Sequence, residues 1–240
     1  MGIFGFGEKD KKGATPTSAL ERAGVQAEPS GLTGMATNLV ERLLDTGIEG
    51  RRPFASAQKV ADSAIRGASD ADAAIDRVVR SHLAYGGAGG FLTGLGGFVT
   101  MPIALPANVL EFYLVATRMT AAIAALRGYD IRQGQIRTAV LLTLVGADAD
   151  DLLKKAGIMA PGSRLTNLAA QRLPGPALMV VNKAIGFRLL SQVGRSTFAR
   201  FGRAVPLVGG AVGAGLDVYL LRRIADNARR EFPHQATPAI

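Results

Sequence analysis

Three ionisable side chains stand where their neighbours are apolar. Glu111 and Arg118 interrupt the run PANVLEFYLVATRMTAAIAAL, and Asp217 follows VPLVGGAVGAGL. A charge in such a helix needs a counter-charge, a hydrogen-bond network or water. Glu111 and Arg118 are seven residues apart, so a helix sets them on one face. Two chemistries fit. One is structural pairing between helices, for example Arg118 with Asp217. The other is a polar spot in an apolar groove, drawn from Asn108, Glu111, Arg118, Asp130 and Asp217, that grips a headgroup or a small ligand.

Other chemistry has little to stand on. The chain has no cysteine, which removes disulfides, thiolate metal sites and Cys nucleophiles. Its only histidines, His82 and His234, have no partner at ligand spacing, so no metal is expected. GGAGGF is not a dinucleotide-binding fingerprint, because Leu92 stands where the last glycine belongs and no strand precedes it. No phosphate-binding P-loop and no GxSxG elbow is present. Asp148, Asp150 and Asp151 cluster at a helix start, where capping explains them. No catalytic residue and no cofactor is expected, and the balance leans away from an enzyme.

Charge is unevenly placed. The 240 residues carry a net charge of +9. Between Asp151 and Asp217 there is no acidic residue. That block holds Lys154, Lys155, Arg164, Arg172, Lys183, Arg188, Arg195, Arg200 and Arg203, which equals the whole net charge. Such a field draws anions. Phe187, Leu190, Gly194, Phe198 and Phe201 form one apolar stripe at helical spacing, with Arg188, Arg195 and Arg203 on the far side. Either the stripe faces a core and the cations are solvated, or it meets an anionic membrane with Lys183, Arg188, Arg195, Arg200 and Arg203 at the surface. Lys183, one turn before Phe187, either snorkels outward or answers a buried carboxylate. Nucleic acid is not expected, because aromatic residues do not alternate with the arginines.

The elements that position these groups read as helices throughout, since no period-two pattern persists. Residues 1–54 form an expected flexible extension with one or two helices. Within it Thr33 to Ile48 has helical spacing, and Ile3, Phe4 and Phe6 with nearby lysines offer a membrane hook. The N-terminus does not read as a secretory signal, and Phe6 breaks the myristoylation pattern. One helical domain is expected over 55–232, with a loose tail at 233–240. A helix is expected after Pro53, and another capped by Ser69. Seven glycines lie between Gly86 and Gly97, inside a stretch from Ser81 to Leu110 that has no charged residue. Gly86, Gly90, Gly94 and Gly97 share one helix face, and Gly209 and Gly213 repeat the interval in a second glycine-rich run. Exposed glycine helices are costly at about 0.5–1 kcal/mol per residue, so both runs should be buried in close helix contact, in protein or in lipid. A bilayer span, a shallow re-entrant hairpin bent at Pro102 and Pro106, and a tight core hairpin all remain open. Gly128 should end the next helix and Asp130 cap the one after it.

Several of these segments resemble the EcsC family. They are GAGGFLTGLGGFVTMPIALPANV, AAIAALRGYDIRQGQIRTAVLLTLVG, KAIGFRLLSQVG and AVPLVGGAVGAGLDVYLLRRIADNARREF, in that order, over roughly Ala55 to Phe232. The GYD step at Gly128, Tyr129 and Asp130 and the VPLVGG step are the more specific parts. The resemblance implies a bacterial, mostly helical protein without an established activity. It also implies membrane association, since the family name comes from a gene beside an ABC-transporter pair. Relatives commonly carry an Asp shortly after the LP of the glycine hairpin, where this chain has Asn108. The expected protein is therefore all-α, cytoplasmic and peripheral to the inner membrane. Anionic lipid and a membrane transport component are its expected partners. The alternative is a soluble helical domain that binds a lipid or small ligand, or an enzyme, with its pocket near Asn108, Glu111, Arg118 and Asp217.

Overall fold

The structure is a computed structural model. It describes residues 31–52, 54–95, 97–146, 149, 153, 175–200 and 206–235, with 32, 89–95, 97–109, 175–177, 192–200 and 206–213 described by backbone alone. Among the described residues there are seven α-helices and no strand, so the fold is all-α. They are α1 (Leu32–Arg42), α2 (Ala57–Ile65), α3 (Ala71–Leu95), α4 (Gly97–Leu126), α5 (Gly134–Val145), α6 (Gly175–Arg200) and α7 (Pro206–Glu231). A π-helical segment, Leu43–Glu49, continues α1 without a break.

Helix α4 is the axis of the domain. Residues 113–124 are all buried, as expected of a helix that is apolar on every side. It packs against α2, α3, α5, α7 and the π-helical segment. Pro102 and Pro106 lie inside α4; α3 ends at Leu95 and α4 begins at Gly97. The two helices then run side by side, with Asp72 paired to Arg127 at 2.7 Å.

Helix α7 lies antiparallel on α3. Arg229 pairs with Asp76, and His234 stands 3.4 Å from Asp72. Ten residues further along α3, Gly86 faces Leu221 and Gly87 faces Val218. The second glycine-rich run is thus part of one continuous helix, α7. Among the described residues, no helix is long and apolar enough to cross a membrane.

Local chemistry sets the helix ends. Gly128 has φ +91° and closes α4, while Tyr129 N donates to Ala124 O and Gly128 N to Ala125 O, both at 3.0 Å. This is the reciprocal glycine-terminated cap that satisfies the last carbonyls. The ring of Tyr129 then packs edge-on against Phe232, 5.3 Å between centroids. Asp130 does not cap α5. Its Oδ1 accepts from Arg132 N in a local turn, and α5 starts at Gly134 after Gln133. Asp70, not Ser69, caps α3, accepting from Ala73 N at 2.8 Å, while Ser69 donates to Asp70. Helix α2 begins four residues after Pro53, at Ala57, with Ser56 accepting from Lys59 N.

The segment Leu32–Glu49 packs on α4 and α6, and contributes Ala36, Val40, Leu43 and Ile48 to the core. Helix α6 crosses α1 so closely at Gly186 that a Cβ there would run into the Ala36 carbonyl. That backbone contact was not foreseen among the glycines of close packing. Of those, Gly86 does meet a neighbour: a Cβ there would collide with the Leu221 side chain. Gly90, Gly94, Gly97, Gly209 and Gly213 belong to α3, α4 and α7, and their surroundings lie outside the described residues.

Candidate functional site

Arg118 is the unusual group. It projects from the middle of α4, and only 9% of its surface is exposed. The guanidinium carbon sits 4.6 Å from the centre of the Phe54 ring, a cation–π contact that covers one face. Its Nε and Nη2 are buried and have no hydrogen-bond partner. Among the described residues Arg118 makes no ion pair, neither the expected one with Asp217 nor one with Glu111. Burial pulls its pKa below the ordinary value, and the neighbouring Tyr85 offsets part of that.

His82 borders this group from α3. It too is buried, and its Nδ1 lies 2.8 Å from the Val78 carbonyl. A carbonyl only accepts, so Nδ1 carries the proton and Nε2 keeps a lone pair in the neutral ring. Burial lowers the His82 pKa; the bond to Val78 works against that, and the charge on Arg118 adds to the lowering. One turn on, Tyr85 is exposed at the surface. On α4, Tyr113 is pushed up to about 12 by burial and so keeps its proton.

Asp217 is buried on the inner face of α7 and is engaged there. Glu111 is half-buried. Asp130 belongs to a different place: it holds Arg132 through Nε at 2.9 Å and Nη2 at 3.3 Å, and these bonds keep its carboxyl below the usual range. The side chain of Asn108 lies outside the described residues, as do Asp148, Asp150 and Asp151. Among the described residues no group of three or more His, Cys, Asp or Glu could hold a metal. Phe54 was missed because it sits in a loop without periodicity. His82 was legible, since it follows Ile75, Val78 and Val79 at helical spacing on the buried face.

On α6 the core face is Val181, Ile185 and Leu189. The stripe read from Phe187 therefore does not begin on the core side. Phe187 is exposed, beside Met179 at 74%, Val180 at 60% and an exposed Lys183. Lys183 is exposed and answers no carboxylate among the described residues. Arg188 is half-buried on the flank and is engaged there. The side chains of Arg195, Arg200 and Arg203 lie outside the described residues.

No curated protein and no solved structure matches the chain. The model of the EcsC protein family matches residues 17–233, beginning well before the segments that suggested the likeness. That match covers most of the chain and includes the capped turn at Gly128, the Arg118 site and the whole of α7. The chain belongs to the EcsC protein family.

Proposed function

We propose that this EcsC-family protein is a non-enzymatic peripheral membrane protein of the cytoplasm. It docks on the anionic inner face of the cell membrane, as an accessory to a membrane transport system. The observation that carries the reading is where charge stops along three packed helices. Charges on α3 end at Arg80, those on α4 begin at Glu111, and those on α7 begin at Asp217. Since α3 turns back into α4, and α7 runs antiparallel to α3, the uncharged lengths share one end of the packet. The block that holds the net positive charge leads into that same end, because Arg200 and Arg203 come just before Pro206.

Apolar length beside positive charge suits an anionic bilayer. The uncharged helix ends meet the acyl boundary at shallow depth while arginines meet phosphate. Tyr85, Leu216 and Tyr219 are exposed where the charged part gives way to the uncharged one. Tyrosine with its apolar ring and polar tip favours that boundary. The exposed Met179, Val180, Phe187 and Lys183 on α6 add a second apolar patch with a cation in it.

Vesicle flotation tests the proposal. The expected result is recovery with vesicles containing phosphatidylglycerol and weak recovery with phosphatidylcholine alone, with the difference shrinking as salt rises. Equal recovery on both would remove the electrostatic half. No recovery on either would remove the whole reading.

A further inference from the structure

Arg132 and Arg118 offer the same chemical edge to different surroundings. In the exposed turn, Nε and Nη2 of Arg132 hold the two oxygens of Asp130 side by side. In the core, Nε and Nη2 of Arg118 point along the same edge of the guanidinium, and neither meets an acceptor. That edge is the one that grips two oxygens of a single oxyanion through parallel charge-assisted bonds. A buried guanidinium edge without an acceptor is costly, so a fold that keeps one in its central helix keeps it for a ligand or at a loss.

We propose that Arg118 is the receptor for one phosphodiester monoanion, bound edge-on through Nε and Nη2. A single negative charge neutralises the guanidinium, whereas a dianion would leave a net charge buried. Phe54 covers one face of the group and fixes its plane. His82, neutral and with Nε2 free of the Val78 bond, lines the α3 side. Tyr85 neighbours Arg118 and is exposed at the surface. Two sources share this chemistry: a lipid headgroup and a free phosphodiester. The lipid source rests on the membrane reading above, because Tyr85 borders the uncharged end. The empty edge itself does not.

The test uses the full chain, with sub-micellar dihexanoyl phosphatidylglycerol and dimethyl phosphate as the two probes. Calorimetry gives affinity, and the Arg118 Nε–H resonance gives the contact. The phosphatidylglycerol probe should bind the parent and move that resonance, and Arg118→Met should lose about tenfold or more in affinity. Arg118→Lys, which cannot offer the paired edge, should recover only part. If dimethyl phosphate behaves likewise, the free source is sufficient; if only the lipid does, the headgroup is the ligand. Unchanged affinity in a folded Arg118→Met, or a still Nε–H resonance at saturation, would overturn the site. Should Arg118→Met fail to fold, the resonance in the parent and the lysine variant decide alone. Vesicle flotation separates this site from the docking mode: loss of the site with flotation intact rejects the receptor and spares the membrane reading.

Discussion

The packet formed by α3, α4 and α7 has two ends built on opposite rules. At one end Asp72 meets Arg127 and His234, and Asp76 meets Arg229. Arg127 is only 11% exposed there, so its partner matters more than a surface pair would. At the other end charged residues are absent, and glycine is dense. The first end is held by pairings that water tolerates. The second presents no charged side chain from these three helices. The lesson is that one set of continuous helices can carry a solvated end and an apolar end, with Arg118 and His82 between them.

Breaking the comparison at its apolar end should have the largest effect. Phe98→Asp adds a charge in the first turn of α4. It should weaken binding to anionic vesicles by about 2 kcal/mol, roughly thirtyfold, while the Tm moves little. A flotation titration beside a thermal melt checks both halves.

The middle responds to pH. Folded His82 has a pKa below its ordinary value near 6.5, so the unfolded chain takes up that proton first. Stability from this source is whole above pH 6.5 and falls as pH drops below it, by at most about 1.4 kcal/mol per pH unit. Urea melts from pH 7.5 to 5.5 should show the decline, and His82→Gln should flatten it.

At the paired end, Asp72→Ala should cost about 1 kcal/mol, since Asp72 is largely exposed and Arg127 is left without its carboxylate. Vesicle binding should stay as it was. A loss of binding equal to that of Phe98→Asp would erase the distinction between the ends. The smallest effect belongs to the boundary: Tyr219→Ser should reduce vesicle affinity by roughly 0.5–1 kcal/mol, from one partly buried ring, and leave the melt unchanged.

Much of this was legible in the sequence, for physical reasons that differ by element. Helix periodicity and the glycine at position 128 are local signals, and they gave the all-α fold and the end of α4. Pro102 and Pro106, which offered a bend in the sequence, instead lie at the sixth and tenth positions of α4, inside the helix. The cap of α3 shifted from Ser69 to Asp70, whose side chain takes the Ala73 N–H, while Asp130 is held by Arg132 and α5 starts after Gln133 without a side-chain cap. The isolation of Arg118 was hidden for a different reason. Which carboxylate reaches which arginine depends on helix rotation and register, and these are set by packing over the whole domain. The outward turn of Phe187 was hidden likewise, because two stripes on α6 are apolar and only contact with α1 and α5 selects between them.

The chain contains no tryptophan, so one placed in the uncharged end reports on that end alone. Phe98→Trp tests the central claim most directly, with its emission followed as anionic vesicles with brominated acyl chains are added. The account predicts a blue shift and strong quenching, with neither in a control that carries Met35→Trp instead. Unchanged emission from position 98 at vesicle concentrations that float the protein would contradict it.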